Sequence, residues 1–207
     1  ETSGQVRVYR TDSAGSTWEQ LGQDIYGEAA RDVFGLSVDI SLYGKTVVLV
    51  APGYSESEEN GRRGYVRVYY LESNDLISSW KQLGQDIIGE ADGDEFGWSV
   101  SLSDDGKTLA VGANTHDGNG LYSGCVRIYH LEDDGTLSWE QIGQDINGKA
   151  ANDRSGIAVS LSADGKTVAI GALGSDDNGG ESGQVRVYQI DSAGSTGEQL
   201  GQDIYGE

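Results

Sequence analysis

The segment FGWSVSLSDDGKTLAVGA, residues 96–113, holds two strand-length strings joined by a tight turn. Both strings alternate or run apolar over a short stretch, which is typical of β-strands. The turn between them contains Asp-Gly, which favours a hairpin because both residues tolerate positive φ. Related segments occur at 34–51 and 155–172, so the hairpin is a unit that the chain repeats.

Two further strings recur around these hairpins. The first reads GQVRVY, GYVRVY, GCVRIY and GQVRVY, and it starts at residues 4, 64, 124 and 183. The second reads WEQLGQDI, WKQLGQDI, WEQIGQDI and GEQLGQDI, and it starts at residues 18, 80, 139 and 197. The chain therefore divides into a half copy followed by three full copies. Their predicted bounds are 1–26, 27–88, 89–147 and 148–207.

One full copy reads as four antiparallel strands, so the sequence predicts 14 strands and essentially no helix. A single four-stranded sheet has two faces to bury and cannot bury both alone, so neighbouring copies are expected to stack. Radial stacking into a β-propeller is the favoured arrangement, and a linear stack of sheets is the alternative. The predicted fold is all-β, with three full blades and an N-terminal half blade.

Composition narrows the classes of partner. The chain has 207 residues, 32 glycines, one proline and a formal net charge of −20. So acidic a surface repels nucleic acid and anionic lipid headgroups, and no apolar run is long enough for a membrane span. The absence of methionine, even at position 1, indicates a processed product or a piece of a longer chain.

The strings FGxSVxxS and KTxAxGA, followed by VRVY, resemble the FG-GAP repeat of integrin α-subunit propellers. The resemblance extends over the whole chain, because each copy of the repeat carries it. The chain is also similar to tandem-repeat secreted or surface proteins of marine microbes and algae. It implies a propeller used for adhesion or extracellular recognition, without catalysis. The expected localisation is therefore extracellular or at the cell surface.

Integrin-like repeats often carry a calcium loop in the hairpin between their first two strands. The corresponding hairpins of this chain are too short and too poor in carboxylates to supply six to eight oxygen ligands, so that site is not carried over. The loop residues Glu90, Asp92 and Asp94 remain candidate calcium ligands. The alternative is that such side chains cap their own turns or face solvent. No other cofactor is expected.

An arginine and an aspartate recur in every copy of the two later strings. An arginine between apolar residues on a buried strand requires a partner for its charge. The favoured interpretation is a structural pair in each copy, and the alternative is a ladder that binds a ligand. The predicted pairs are Arg7 with Asp24, Arg67 with Asp86, Arg127 with Asp145, and Arg186 with Asp203.

Trp18, Trp80 and Trp139 open the last strand of their copies, and Gly197 stands at this place in the last copy. An exposed tryptophan could stack on a sugar ring. The favoured interpretation is that these side chains cover a blade edge or the seam between two blades.

Catalytic motifs are missing from the sequence. His116 and His130 belong to one copy and have no ligand partners nearby in sequence, and Cys125 is interpreted as a filler rather than a nucleophile. No nucleophile elbow, phosphate loop or zinc spacing occurs, so the chain is predicted not to be an enzyme.

Two functions remain open at this level. In the first, rim loops recognise a protein or a glycan, which suits loops that differ among copies while the strands do not. In the second, the chain is a structural subunit or segment of an extracellular filament or sheath, with further copies of itself as partners. The half blade is expected to expose a strand edge and an apolar face, which favours association with other repeats.

Overall fold

The computed structural model describes residues 3–30, 32–53, 63–73, 77–132, 134–180, 182–190 and 196–206. Within these residues the regular structure is entirely β, and the predicted all-β fold is confirmed. The strands are β1 (Gln5–Val6), β2 (Tyr9–Thr11), β3 (Trp18–Gln20), β4 (Ile25–Tyr26), β5 (Val38–Ile40), β6 (Thr46–Ala51), β7 (Tyr65–Ser73), β8 (Ser78–Gln82), β9 (Ile87–Ile88), β10 (Phe96–Leu102), β11 (Thr108–Ala113), β12 (Cys125–Leu131), β13 (Trp139–Asn147), β14 (Ser155–Leu161), β15 (Thr167–Ala172), β16 (Gln184–Ile190), β17 (Thr196–Gln199) and β18 (Ile204–Tyr205). None of the described residues forms a helix that is long and apolar enough to cross a membrane.

The strands form three antiparallel sheets of the propeller-blade type, preceded by a half blade. Blade 1 has the order β5-β6-β7-β8 with β9 also on β7, blade 2 has β10-β11-β12-β13, and blade 3 has β14-β15-β16-β17 with β18 also on β16. The half blade consists of the pairs β1-β4 and β2-β3. The four main strands of each blade are thus neighbours in chain order, and the first two are joined by a tight hairpin.

The prediction of 14 strands is wrong in number, because four of the predicted strands are each divided into two. The division of the last strand falls at Leu-Gly-Gln-Asp, as between β8 and β9. Gly84 in this segment has a φ of 78°, a backbone conformation that residues with a Cβ rarely adopt. A Cβ there would also lie 2.7 Å from Cδ1 of Trp139. The break in the strand therefore leaves space for a tryptophan of the next blade.

The apolar core lies between the sheets. One cluster contains Val50 and Val66 of blade 1 with Phe96 and Val100 of blade 2. Equivalent clusters join the half blade to blade 1 and blade 2 to blade 3. Because each sheet is covered by its neighbour in the chain, the repeat is stabilised mainly by contacts between adjacent blades.

Blades 1 and 3 expose apolar side chains whose counterparts in blade 2 are buried. Val38 and Ile40 of blade 1 are 52% and 46% exposed, whereas Val100 and Leu102 of blade 2 are 8% and 6% exposed. The first two strands of a blade would cover Val38 and Ile40, and the half blade lacks them. Blade 3 at the other end exposes Ile204, which is 61% accessible.

Candidate functional site

Blades 1 and 2 each bury an arginine at the break or bulge of the last strand. Arg67 on β7 donates from Nε and Nη2 to the two carboxylate oxygens of Asp86, at 2.8 and 2.6 Å. Arg127 on β12 lies at a bulge between β12 and β13, and its Nη2 is 2.8 Å from Oδ2 of Asp145. The irregular backbone of the last strand thus lets its aspartate reach across to the arginine of the neighbouring strand.

Each of these arginines has a second carboxylate partner from the segment that opens its own copy. Nη2 of Arg67 is 2.7 Å from Glu28, and Nη2 of Arg127 is 2.7 Å from Glu90. The sequence analysis did not identify these glutamates as partners. A signal was present, because the dipeptide Gly-Glu follows the QDI string at 27–28 and again at 89–90.

The carboxylates compensate for the burial of the guanidinium groups. The side chains of Arg67 and Arg127 are 8% and 1% exposed. The hydrogen bonds with Asp86 raise the pKa of Arg67 and hold the pKa of Asp86 below its usual range. Burial opposes the charge of Arg127, and the hydrogen bonds to Asp145 outweigh it, so that the pKa of Arg127 is also raised. Such fixed, fully ionised clusters suit a structural role.

The half blade carries the same pair in an exposed setting. Nη2 of Arg7 lies 3.1 Å from Oδ2 of Asp24, and the side chain of Arg7 is 49% exposed. Water solvates this pair, so its contribution to stability is small.

Blade 3 departs from the predicted pattern, because Arg186 and Asp203 do not pair with each other. Arg186 donates instead to the carbonyl of Asn147 at 2.9 Å and to the hydroxyl of Tyr188 at 2.8 Å. Asp203 pairs with the ammonium group of Lys149. Lys149 stands where the earlier copies have Glu28 and Glu90, so a positive charge replaces the second carboxylate and binds the aspartate itself.

Trp80 and Trp139 lie in the seams between blades and are 3% and 2% exposed. The indole N–H of Trp80 donates to the carbonyl of Leu21 at 2.7 Å, and that of Trp139 donates to the carbonyl of Leu83 at 2.9 Å. These two tryptophans are therefore inaccessible to a sugar. Trp18 has no such cover among the described residues and is 73% exposed.

A glutamine from the preceding unit fixes each buried tryptophan. The side chain of Gln23 accepts from the backbone N–H of Trp80 at 2.9 Å and donates to its carbonyl at 2.8 Å. Gln85 makes the same two bonds to Trp139, at 2.9 and 2.7 Å. The Leu-Gly-Gln segment of one blade and the tryptophan of the next thus form one repeated joint, which the sequence analysis did not find.

The three candidate calcium ligands face different partners. Glu90 binds Arg127 at 2.7 Å, Asp92 lies 3.6 Å from Nε of Arg63, and Asp94 lies 2.9 Å from Nδ1 of His116. The structure therefore does not direct the three carboxylates to one common point. In the hairpins, Asp105 and Asp164 accept hydrogen bonds from the serine and lysine of their own turns.

Comparison with known protein families gives a match in blades 2 and 3. Residues 89–129 and 147–188 match the FG-GAP repeat family. No curated protein matches the chain. FG-GAP is a propeller repeat that is generally non-enzymatic and typically occurs in extracellular or surface proteins. The two matching segments confirm FG-GAP repeats in blades 2 and 3, in agreement with the resemblance of the recurring strings.

Proposed function

We propose that the chain is a non-catalytic extracellular repeat protein that assembles head to tail with a second copy of itself. The proposal rests mainly on one observation: the two halves of the joint used twice inside the chain occur once more on exposed residues. Trp18 is exposed on the half blade. The Leu-Gly-Gln segment that would cover it recurs at residues 200–202 of blade 3, where Leu200 is 43% exposed.

The two internal seams supply the geometry of the proposed contact. In both, the indole N–H donates to the leucine carbonyl and the glutamine bonds the tryptophan backbone. Leu200 and Gln202 of one copy would make these bonds to Trp18 of the next copy. This contact joins two different surfaces, so it generates a ring if its rotation closes and a filament if it does not.

The apolar surface of blade 3 supports the same conclusion. Ile204 is 61% exposed, whereas its counterpart Ile146 of blade 2 is 6% exposed. The formal charge of −20 opposes association, so assembly is expected to strengthen with salt.

Sedimentation of the 207-residue chain tests the proposal. We expect an average mass that rises above 22.0 kDa with concentration, and a larger rise at higher salt. Trp18→Ala and Gln202→Ala should each return the mass to that of the monomer, and neither should lower the melting temperature measured at low concentration, where the wild type is also a monomer. Tyr43→Ala is the matched control, because Tyr43 is 81% exposed but lies outside the joint.

The wild-type chain at high concentration provides the decisive observation. A monomer at every salt concentration would overturn the proposal, and so would a Trp18→Ala variant that associates as the wild type does.

Recognition by rim loops is the second candidate, and the loop between β11 and β12 favours it. Leu121 and Tyr122 at its tip are 57% and 41% exposed. Tyr122 has a φ of 53°, which is unusual for a bulky residue and is often found at functional positions. Its backbone carbonyl accepts from Arg154 at 3.0 Å, and the Arg154 guanidinium lies 6.0 Å from its ring centroid.

An exposed aromatic ring beside an apolar side chain and a guanidinium suits the face of a sugar ring. We expect the chain to bind members of a polysaccharide array. The double variant Leu121→Ala/Tyr122→Ala should lose that binding, and its melting temperature should be unchanged or higher. Leu137→Ala, in another exposed turn, should bind as the wild type does. Array binding that survives the double variant would assign recognition to another surface.

A further inference from the structure

Three side chains of blade 2 with metal-binding atoms lie close together. His116 belongs to the loop between β11 and β12, Cys125 begins β12, and Asp145 lies on β13. A ring nitrogen of His116, Sγ of Cys125 and a carboxylate oxygen of Asp145 all lie within 4.8 Å of one another. The sequence separates these residues, and the antiparallel pairing of β12 with β13 brings two of them together.

Asp94 prepares the imidazole of His116 to bind a metal ion. Nδ1 of His116 is 2.9 Å from Oδ2 of Asp94, and the side chain of Asp94 is 9% exposed. When Nδ1–H donates to this carboxylate, the lone pair of Nε2 remains available. Metal-binding histidines usually have such a carboxylate or carbonyl partner on their other nitrogen.

Asn147 adds an oxygen atom without a partner beside the same imidazole. Its Oδ1 is buried and accepts no hydrogen bond within the described residues. A Cβ on Gly118 would lie 2.5 Å from this oxygen and 2.9 Å from Nε2 of His116, so both atoms border one small space. Asn147 is also the cross-strand neighbour of Cys125. A buried acceptor without a donor is uncommon, and a bound cation or its water ligand would satisfy it.

The charges around the cluster favour a cation. Asp145 and Glu90 both bind Arg127, and Asp94 binds His116. Two carboxylates therefore share one guanidinium and a third faces the imidazole, and the excess of negative charge attracts a divalent ion.

The other blades use the same positions differently. Tyr65 replaces Cys125 in blade 1, and its hydroxyl donates to Asp32 at 3.1 Å. In blade 3, Gln184 occupies this position and donates to Ser175, the counterpart of His116, at 2.9 Å. Hydrogen bonds within the protein thus replace the metal-binding set in these two blades.

We propose that blade 2 binds one divalent transition-metal ion of the zinc class through Nε2 of His116, Sγ of Cys125 and the carboxylate of Asp145. Oδ1 of Asn147 or a water molecule would take the fourth position. Nitrogen, sulfur and oxygen ligands in a set of four suit zinc, whereas calcium requires six to eight oxygens. Cys125 is fully buried, and burial raises the pKa of its thiol to about 12, so binding releases its proton as the thiolate forms.

Cobalt(II) is the probe, because a thiolate ligand gives it an intense charge-transfer band and tetrahedral coordination gives it visible bands. When cobalt(II) is titrated into the metal-free wild-type chain, both kinds of band should appear and should saturate at one equivalent. Zinc should then displace the cobalt and remove the bands. Zinc should raise the melting temperature, since a ligand of the native state stabilises it, and calcium should not.

Variants identify the ligands. Cys125→Ser and His116→Asn should abolish the charge-transfer band or the binding, and Asp94→Asn should weaken affinity by about 10–100-fold. His130→Asn should bind as the wild type does, because His130 lies on β12 outside the cluster. Absence of cobalt binding by the folded wild-type chain would overturn the proposal. Wild-type binding spectra that persist in both Cys125→Ser and His116→Asn would also overturn it.

Discussion

Replacing Arg127 by alanine is expected to lower the free energy of unfolding by about 3–5 kcal/mol. The side chain of Arg127 is 1% exposed and binds both Asp145 and Glu90. Removal of the guanidinium leaves the largely buried carboxylate of Asp145 without its counter-charge and opens a cavity on β12. Equilibrium denaturation with urea measures the change.

Arg7→Ala is the matched control, since it removes the same type of pair from the half blade. The side chain of Arg7 is 49% exposed, so the loss should stay below about 1 kcal/mol. Equal losses for Arg127→Ala and Arg7→Ala would show that burial does not determine the strength of these pairs. A stable Arg127→Ala chain would restore the hypothesis that the arginines bind a ligand.

Replacing Trp139 by alanine is expected to cost about 3–5 kcal/mol, the range for a large aromatic side chain removed from a core. Trp139 is 2% exposed and belongs to the apolar cluster between blades 1 and 2. The variant also leaves the carbonyl of Leu83 without its indole donor. Thermal or urea denaturation of the chain at low concentration measures this loss without a contribution from assembly.

Trp18→Ala makes the same chemical change at a position that is 73% exposed. Its effect on the unfolding of the monomer should stay within about 0.5 kcal/mol, as is usual for surface substitutions. Equal losses of stability in the two tryptophan variants would show that Trp18 is buried in solution and not exposed.

The strand pattern of the blades could be predicted because the signals are local. Apolar strings such as FGWSVSLS and KTLAVGA at 96–113 form β10 and β11, and the Asp-Gly turn joins them. The division of the last strand could not be predicted from periodicity. At the division in blade 1, the backbone conformation of Gly84 leaves space for a tryptophan of the next blade, whereas Gly143, with a φ of 70°, lies within the undivided β13.

The charge clusters were predicted only in part. Repetition indicated that Arg67 and Asp86 belong together, and they lie on neighbouring strands. It could not indicate that Lys149, in the segment that opens blade 3, would bind Asp203 in place of Arg186. The cluster of His116 and Cys125 occurs once and joins a loop to a strand, so neither repetition nor spacing revealed it.

The tryptophan joint links blade 1 and blade 2 each to the unit before it. The free energy of folding is then close to a sum over single blades and their contacts with adjacent blades. Among the described residues, blade 2 shares an interface with a unit on either side, whereas the half blade shares one. Amide protons of the half blade should therefore exchange with solvent through small local openings, while those of β11 and β12 exchange only in larger ones. Among the described units, the half blade is expected to lose its structure before blades 1 and 2, which are covered on both sides.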